Sequence, residues 1–71
     1  MQAIQSNMAG TIYKILVKPG QLIHAGEDVA ILESMKMEVP ITAEVSGTVM
    51  RIVVEEGAFI NEGDTVMELE P

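Results

Sequence analysis

Residues 8–33 read MAGTIYKILVKPGQLIHAGEDVAILE, and residues 45–70 read VSGTVMRIVVEEGAFINEGDTVMELE. At a constant offset of 37 positions, these two stretches share ten identical residues in 26 aligned pairs. Several other pairs are conservative, such as Lys14 with Arg51. Because most of the 71-residue chain is one motif used twice, the repeat predicts two similar halves related by an approximate two-fold axis.

Each copy of the repeat has the composition of antiparallel β structure. Residues 11–17 and 48–54 are rich in β-branched side chains and are bounded by glycines, as strands often are. Ile12 does not share the alternation of Ile15 and Val17, which predicts a β-bulge or a bend in this strand. No window of about ten residues has the apolar spacing of an amphipathic helix. The pattern therefore predicts an all-β fold.

Glycines mark the predicted turns of each copy. The pair Pro19-Gly20 is typical of a type II turn, and Gly57 takes the same place in the second copy. Gly26 and Gly63 supply the next turn, where glycine readily adopts a positive φ. We interpret the glycines that begin each copy as turn residues too: Gly10 and Gly47. Two short apolar pairs are expected to fill the core: Leu22-Ile23 and Phe59-Ile60.

We expect the two halves to form a flattened barrel or sandwich of two four-stranded antiparallel sheets, which hides strand edges. Residues 1–71 are then a single domain with an aliphatic core, because 48% of residues are hydrophobic and only two are aromatic. The repeat offset also predicts that the turn after residue 33 lies at one end of the barrel and the chain termini at the other.

The composition limits the classes of function. A formal net charge of −7 argues against nucleic acid or an anionic membrane as a partner. With no cysteine and one histidine, His24, the chain lacks the ligands for a zinc site, and His24 is interpreted as a turn residue. We find no signal peptide and no run of about 20 apolar residues, so a cytoplasmic location is expected. A closed, negatively charged barrel favours a monomer.

The connection between the two copies contains residues 33–38, with the sequence ESMKME. We predict a tight hairpin tip with Met35 and Lys36 at its two central positions. Such turns favour Asn-Gly because both central residues need a positive φ, so Met-Lys costs stability. A local rule broken without a gain for folding tends to mark a functional site. Lys36 would then offer its amine to a modifying enzyme, although an ordinary solvated lysine is the alternative.

The sequence ESMKME closely resembles the attachment site of biotinyl domains, the carrier modules of biotin-dependent carboxylases. The wider biotinyl/lipoyl attachment family shares the fold and the modified lysine. The resemblance extends over residues 3–70, because the glycines and hydrophobic positions match as well. Met-Lys-Met is typical of the biotin branch, whereas lipoyl domains usually carry Asp-Lys-Ala. Ser34 departs from the alanine that is most frequent at its position in biotinyl domains.

The resemblance implies that a biotin protein ligase attaches biotin covalently to Lys36. It implies a carrier that is not an enzyme, whose flexible arm takes carboxylate from a biotin carboxylase to a carboxyltransferase. In the family, Met35 and Met37 are recognition features for the ligase and contacts near the cofactor. The alternation of a strand also allows their partial burial, which is compatible with recognition. Glu33 and Glu38 bracket the turn and either contact basic ligase residues or are simply solvated charges.

Two alternatives stay open. A lipoate ligase acting on Lys36 would make the chain a lipoyl carrier, or an acceptor of both cofactors, because the fold is shared and Glu33 is compatible with lipoyl domains. The other alternative is a structural barrel that is never modified. Ser34 has no evident base partner, and Glu55-Glu56 is interpreted as a solvated acidic pair, so no catalytic or metal site is predicted.

Overall fold

A computed structural model describes residues 2–70 as eight strands in two four-stranded antiparallel sheets. The predicted fold class is confirmed. None of the described residues belongs to a helix that could cross a membrane. The strands are β1 (Gln2–Gln5), β2 (Gly10–Ile15), β3 (Leu22–Ile23), β4 (Asp28–Ser34), β5 (Met37–Thr42), β6 (Gly47–Ile52), β7 (Phe59–Ile60) and β8 (Thr65–Glu70).

The strand order has the two-fold symmetry that the repeat predicts. One sheet has the order β1-β8-β6-β3, and the other has the order β5-β4-β2-β7. At the offset of 37 residues, each of the first four strands has a counterpart four strands further along the chain: β1 with β5, β2 with β6, β3 with β7 and β4 with β8. Exchanging counterparts converts one order into the other. Backbone hydrogen bonds between the copies are symmetric too: Gly20 N donates to Val49 O at 2.7 Å, and Gly57 N donates to Ile12 O at 2.7 Å. The first turn of each half is therefore hydrogen-bonded to a strand of the other half.

The irregularity expected in the first long strand is a β-bulge. The register of β2 with β4 shifts between Ile12 and Lys14, so that Tyr13 is the extra residue. In β6 the same shift surrounds Met50. Ile12 is fully buried and Tyr13 is exposed, because the bulge lets the strand keep one side chain in the core while the chain bends.

The first turn of the repeat has the type II geometry that its sequence predicts. Gly20 has a φ of 89°, and Gln21 N donates to Lys18 O at 3.1 Å across the turn. Pro19 and Gly20 thus occupy the two central positions, where a type II turn favours proline and then glycine.

A carboxylate closes the next turn of each copy. Glu27 accepts a hydrogen bond from His24 N at 2.8 Å, and Asp64 accepts one from Asn61 N at 2.8 Å. The acidic residue that follows the turn glycine in both copies therefore satisfies a backbone donor. His24 is exposed and belongs to this turn, as we expected from its place in the repeat.

Aliphatic side chains fill the space between the sheets. The buried cluster comprises Ile4, Ile12, Val17, Ile23, Val29, Ala30, Leu32, Ile41, Ala43, Val49, Ile60, Val66, Met67 and Leu69. Of the two apolar pairs expected in the core, Ile23 and Ile60 are buried, whereas Leu22 and Phe59 are exposed. The prediction is wrong for Leu22 and Phe59 because each pair is a two-residue strand, in which successive side chains point to opposite faces.

The interpretation of Gly10 and Gly47 as turn residues is wrong. Each begins a strand, and neither has a positive φ. A β-carbon on Gly10 would lie 2.6 Å from the backbone O of Glu33, and one on Gly47 would lie 2.7 Å from that of Glu70. These glycines therefore let β2 approach β4, and β6 approach β8, more closely than any side chain would permit.

Glu56 also has a role that the sequence did not indicate. Its Oε2 accepts a hydrogen bond from the backbone N of Ile15 at 3.0 Å, which links the turn of one copy to β2 of the other. The Glu55 side chain forms no hydrogen bond within residues 2–70, so only this residue fits the predicted solvated charge. Pro19 takes the place of Glu56 in the first copy, and the bond has no symmetric counterpart.

We expect Glu56→Ala to lower the free energy of unfolding by about 0.5–1.5 kcal/mol, because Ile15 N loses its acceptor. Glu55→Ala is the matched control and should change that free energy by less than about 0.5 kcal/mol. Urea denaturation of the three proteins measures both effects. Equal losses from the two substitutions would show that the bond between Glu56 and Ile15 contributes nothing specific.

Candidate functional site

β4 and β5 meet in a two-residue turn at one end of the domain. Ser34 pairs with Met37, which leaves Met35 and Lys36 as the turn residues. Their φ angles are 52° and 65°, and no other non-glycine residue among those described has a positive φ. Two positive φ values in succession are the mark of a type I′ hairpin turn, so the predicted tip is confirmed.

The amine of Lys36 is held away from the rest of the protein. Lys36 is exposed, and its Nζ forms no ion pair or hydrogen bond with any residue from 2 to 70. A side chain in a left-handed turn cannot continue the alternation of the strand, so it projects from the tip. Lys36 is therefore accessible to an approaching protein or reagent.

Both methionines beside Lys36 are exposed, so the partial burial that strand alternation allows is not found. Met35 is 91% exposed because it lies in the turn itself, outside the alternation of the strand. Met37 is 65% exposed because it begins β5, which is an edge strand, at the end of the domain. Two large apolar side chains in water have no value for folding, but they suit contact with another molecule.

Two carboxylates lie one row below the turn. Glu33 on β4 pairs directly with Glu38 on β5, and both are exposed. Like charges at directly opposite positions destabilise a sheet, so this pair is a second feature of the hairpin that does not favour folding. The tip thus presents one cation above two anions, a pattern that complements a basic surface on a partner.

An open depression of about 510 Å³ lies against the turn. Of the residues predicted from the sequence to form the site, Glu33, Met35 and Lys36 line it, whereas Met37 and Glu38 do not. Its complete lining is Ala9, Gly10, Thr11, Glu33, Ser34, Met35, Lys36 and Phe59. Sequence reasoning therefore missed one wall of this depression, which is formed by β2 and β7.

The register of the sheet explains how distant residues meet at the depression. Thr11 on β2 pairs with Glu33 on one side and with Phe59 on the other. Directly opposite residues lie on the same face of a sheet, so the three side chains form one row. With strands ~4.8 Å apart, this row spans ~10 Å from Glu33 to Phe59. The repeat aligns Phe59 with Leu22, but only the register shows that Phe59 lies near the turn.

The turn and the ends of the described chain lie far apart. Gln2 pairs with Leu69, so the two ends are side by side. β2 starts beside the turn and runs away from it, and the chain then continues to Leu22 in the other sheet. Leu22 lies beside the end of the described chain, because its partner Thr48 also pairs with Glu70. In a domain of 33 × 19 × 18 Å, the hairpin is therefore at the opposite end from the chain ends, as predicted.

Comparison with known proteins agrees with this architecture. The biotin/lipoyl family model, described as "Biotin-requiring enzyme", matches residues 2–69. The chain therefore belongs to the biotin/lipoyl domain family, and the resemblance in the sequence is confirmed.

Relatives of known identity include an attachment protein and a carboxyltransferase subunit. The chain is 54% identical over 41 residues to a biotin/lipoyl attachment protein of Bacillus subtilis (strain 168), which covers 58% of this chain and 56% of that protein. It is 54% identical over 35 residues to the methylmalonyl-CoA carboxyltransferase 1.3S subunit of Propionibacterium freudenreichii subsp. shermanii, covering 49% of this chain and 28% of the subunit. The matches thus span little more than half of the first relative and less of the second.

A solved structure shows the same fold within a much larger protein. The chain superposes on Kluyveromyces lactis urea carboxylase with a TM-score of 0.90 and 30% identity. That superposition covers 97% of this chain and 6% of the carboxylase.

We expect Lys36→Gly to raise the free energy of unfolding by about 1 kcal/mol, because glycine adopts a positive φ without steric strain. Lys36→Arg keeps the β-carbon and should leave the stability within about 0.5 kcal/mol of the parent protein. Urea denaturation compares the three proteins. A Lys36→Gly protein no more stable than Lys36→Arg would mean that the turn is not strained.

Proposed function

We propose that this chain is a biotin carboxyl carrier and that Lys36 holds the covalently attached biotin. The observation that carries the proposal is a lysine at positive φ in a hairpin turn, exposed and without an ion-pair or hydrogen-bond partner among the described residues. Glycine would serve the fold better at that position, so the lysine is retained for its amine. Membership of the biotin/lipoyl family supports the same assignment.

The residues around Lys36 fit biotin. Nζ would hold the cofactor through an amide bond, with nothing in residues 2–70 competing for the amine. Met35 and Met37 offer apolar contacts on either side, and an open depression adjoins the turn. When attached, biotin supplies a ureido nitrogen that accepts and releases a carboxylate group. The protein contributes the attachment point and its accessibility.

Attachment is an acyl transfer to Nζ of Lys36. The ammonium group first loses a proton, and the neutral nitrogen then attacks the carboxyl carbon of biotinyl-adenylate. The new amide bond would form as the acyl C–O bond to AMP breaks, with AMP taking the electron pair of that bond and the nitrogen losing a second proton. No residue within 2–70 accepts a hydrogen bond from Nζ, so the biotin protein ligase supplies the base that takes the first proton. The formal net charge then changes from −7 to −8, because one positive charge is lost.

The hairpin also supplies the features by which the ligase recognises Lys36. Exposed methionines at 91% and 65% are the kind of apolar anchor that fits a pocket at the centre of an interface. Glu33 and Glu38 surround these anchors with negative charge, which steers a basic ligase surface toward the amine. Four residues therefore act in recognition and perform no chemistry: Met35, Met37, Glu33 and Glu38.

The partners of the loaded carrier are a biotin carboxylase and a carboxyltransferase. Relatives of this chain include a carboxyltransferase subunit and a biotin-dependent acyl-coenzyme A carboxylase subunit. A flexible arm on a rigid barrel keeps the cofactor at a high effective concentration at both active sites. We treat residues 1–71 as one non-catalytic carrier domain that acts as a monomer. The absence of cysteine fits a cytoplasmic location.

Lipoate is the second candidate cofactor for Lys36. The observation that favours it is the similarity to a Bacillus subtilis protein described as a biotin/lipoyl attachment protein. Glu33, three residues before the lysine, is compatible with lipoyl domains as well. Met-Lys-Met favours biotin, so we place lipoate second, as an alternative substrate of the same lysine delivered by a lipoate ligase.

We expect the parent chain, produced in cells supplied with biotin and lipoate, to gain one biotinyl group that peptide mapping places on Lys36. Lys36→Arg should abolish this mass increase, because guanidinium is a poor acyl acceptor and remains protonated. Lys18→Arg is the matched control and should be labelled like the parent. Intact-mass spectrometry measures all three proteins.

Persistent labelling of Lys36→Arg would contradict the proposed attachment site. A lipoyl increment on Lys36 in place of a biotinyl one would select the second candidate. An unmodified parent chain, in cells where another biotinyl domain and a lipoyl domain are both labelled, would contradict both candidates and favour a structural barrel.

A further inference from the structure

The one phenylalanine of the chain lies at the end of the domain that carries Lys36. Phe59 is 66% exposed on β7, and its counterpart in the first copy, Leu22, is 60% exposed on β3. The repeat therefore leaves an apolar side chain exposed at both ends of the barrel. Of these two exposed residues, only the one at the lysine end is aromatic, so the two copies differ at a position outside the core.

Phe59 and Lys36 line the same depression. Thr11 lies between them, half-buried, and pairs with both β4 and β7. The lateral distance from Glu33 to Phe59 is two strand spacings, or ~10 Å. Lys36 lies two rows beyond Glu33, or ~7 Å further along the strands. A biotinylated lysine is long enough to fold back over the combined distance. The ring at the end of the arm can thus reach Phe59 without any movement of the barrel.

We propose that Phe59 is a docking surface for the bicyclic ureido ring carried on Lys36, with Thr11 as its polar neighbour. This inference rests on the proposed function, because it needs the ring to be attached at that residue. The phenyl ring offers an apolar face to the bicycle, and the Thr11 hydroxyl offers a hydrogen-bond donor and acceptor to the urea group. An apolar wall with one polar group is the usual composition of a small-molecule site.

Because the ring is tethered to the domain, a docking site of low affinity is enough to hold it for much of the time. A short flexible arm holds its end group at an effective concentration in the millimolar range, so a dissociation constant of ~1 mM gives substantial occupancy. The docked ring is then partly shielded from solvent between visits to the partner enzymes. Because the depression is open and the affinity is low, a partner with a deeper pocket removes the ring easily.

This docking can be tested with a protein that receives the ring chemically, without a ligase. The chain has no cysteine, so one introduced at position 36 is the single site of alkylation. In Lys36→Cys, the thiolate displaces bromide from bromoethyl biotinamide, and the thioether product reproduces the length of biotinyl-lysine. The same protein alkylated with bromoethyl pentanamide carries the arm without the ring. Amide and aromatic NMR spectra of the two products then report only on the ring. Failure of enzymatic biotinylation does not affect this test.

We expect cross-relaxation between the Phe59 ring protons and the bicycle, and shift differences at Gly10 and Thr11 between the two products. Phe59→Leu, which restores the residue of the other copy, should remove these shift differences. Leu22→Phe is the matched control at the far end and should leave them unchanged. Shift differences confined to residues 34–38 in the alkylated Lys36→Cys protein would overturn the proposal. Shift differences at Thr11 that persist when Phe59→Leu is added would also overturn it.

Discussion

Two consecutive residues with β-carbons, Met35 and Lys36, occupy the left-handed conformation that glycine normally takes. Each costs roughly 1–2 kcal/mol, so the strands beneath them must hold the turn in place. β4 is an interior strand, and its side chains Val29, Ala30 and Leu32 are fully buried. Gly10 lets β2 lie against the last residues of β4, directly below the turn. The accessibility of one amine therefore depends on a hairpin that the core makes rigid.

The duplicated architecture explains why such a small chain can support this strain. The turn of each copy donates a backbone hydrogen bond to the other copy, so the halves fold as one unit. The symmetry also gives the barrel two equivalent ends. The first and last described residues lie at one of them, and the lysine hairpin lies at the other. The residues to which we assign roles in the proposed function mostly lack an identical counterpart in the repeat. Phe59 in place of Leu22 is one example at the lysine end, and the ESMKME turn itself is the larger one.

Much of this structure was predictable from periodicity. The repeat predicted the strands, the bulge beside Ile12, the two sheets and the hairpin around Lys36 correctly, because each rests on local sequence. Some errors have local causes, since Met35 is exposed by the turn and Phe59 by the alternation of a short strand. The others depend on what a residue meets across the fold. The close approach at Gly10, the position of Phe59 beside the turn and the bond from Ile15 to Glu56 all require knowledge of how the strands are arranged. The exposure of Met37 requires knowing that β5 is an edge strand.

The central claim is that an amine at the second position of this turn, between two exposed methionines, makes this chain an acceptor. The double substitution Met35→Lys with Lys36→Met tests it, because composition and net charge do not change. Both proteins are incubated with one biotin protein ligase, biotin and ATP, and their intact masses are followed with time. The account predicts rapid addition of one biotinyl group to the parent and none, or far slower addition, to the exchanged protein. Equal rates would show that any lysine at this turn suffices and would contradict the account.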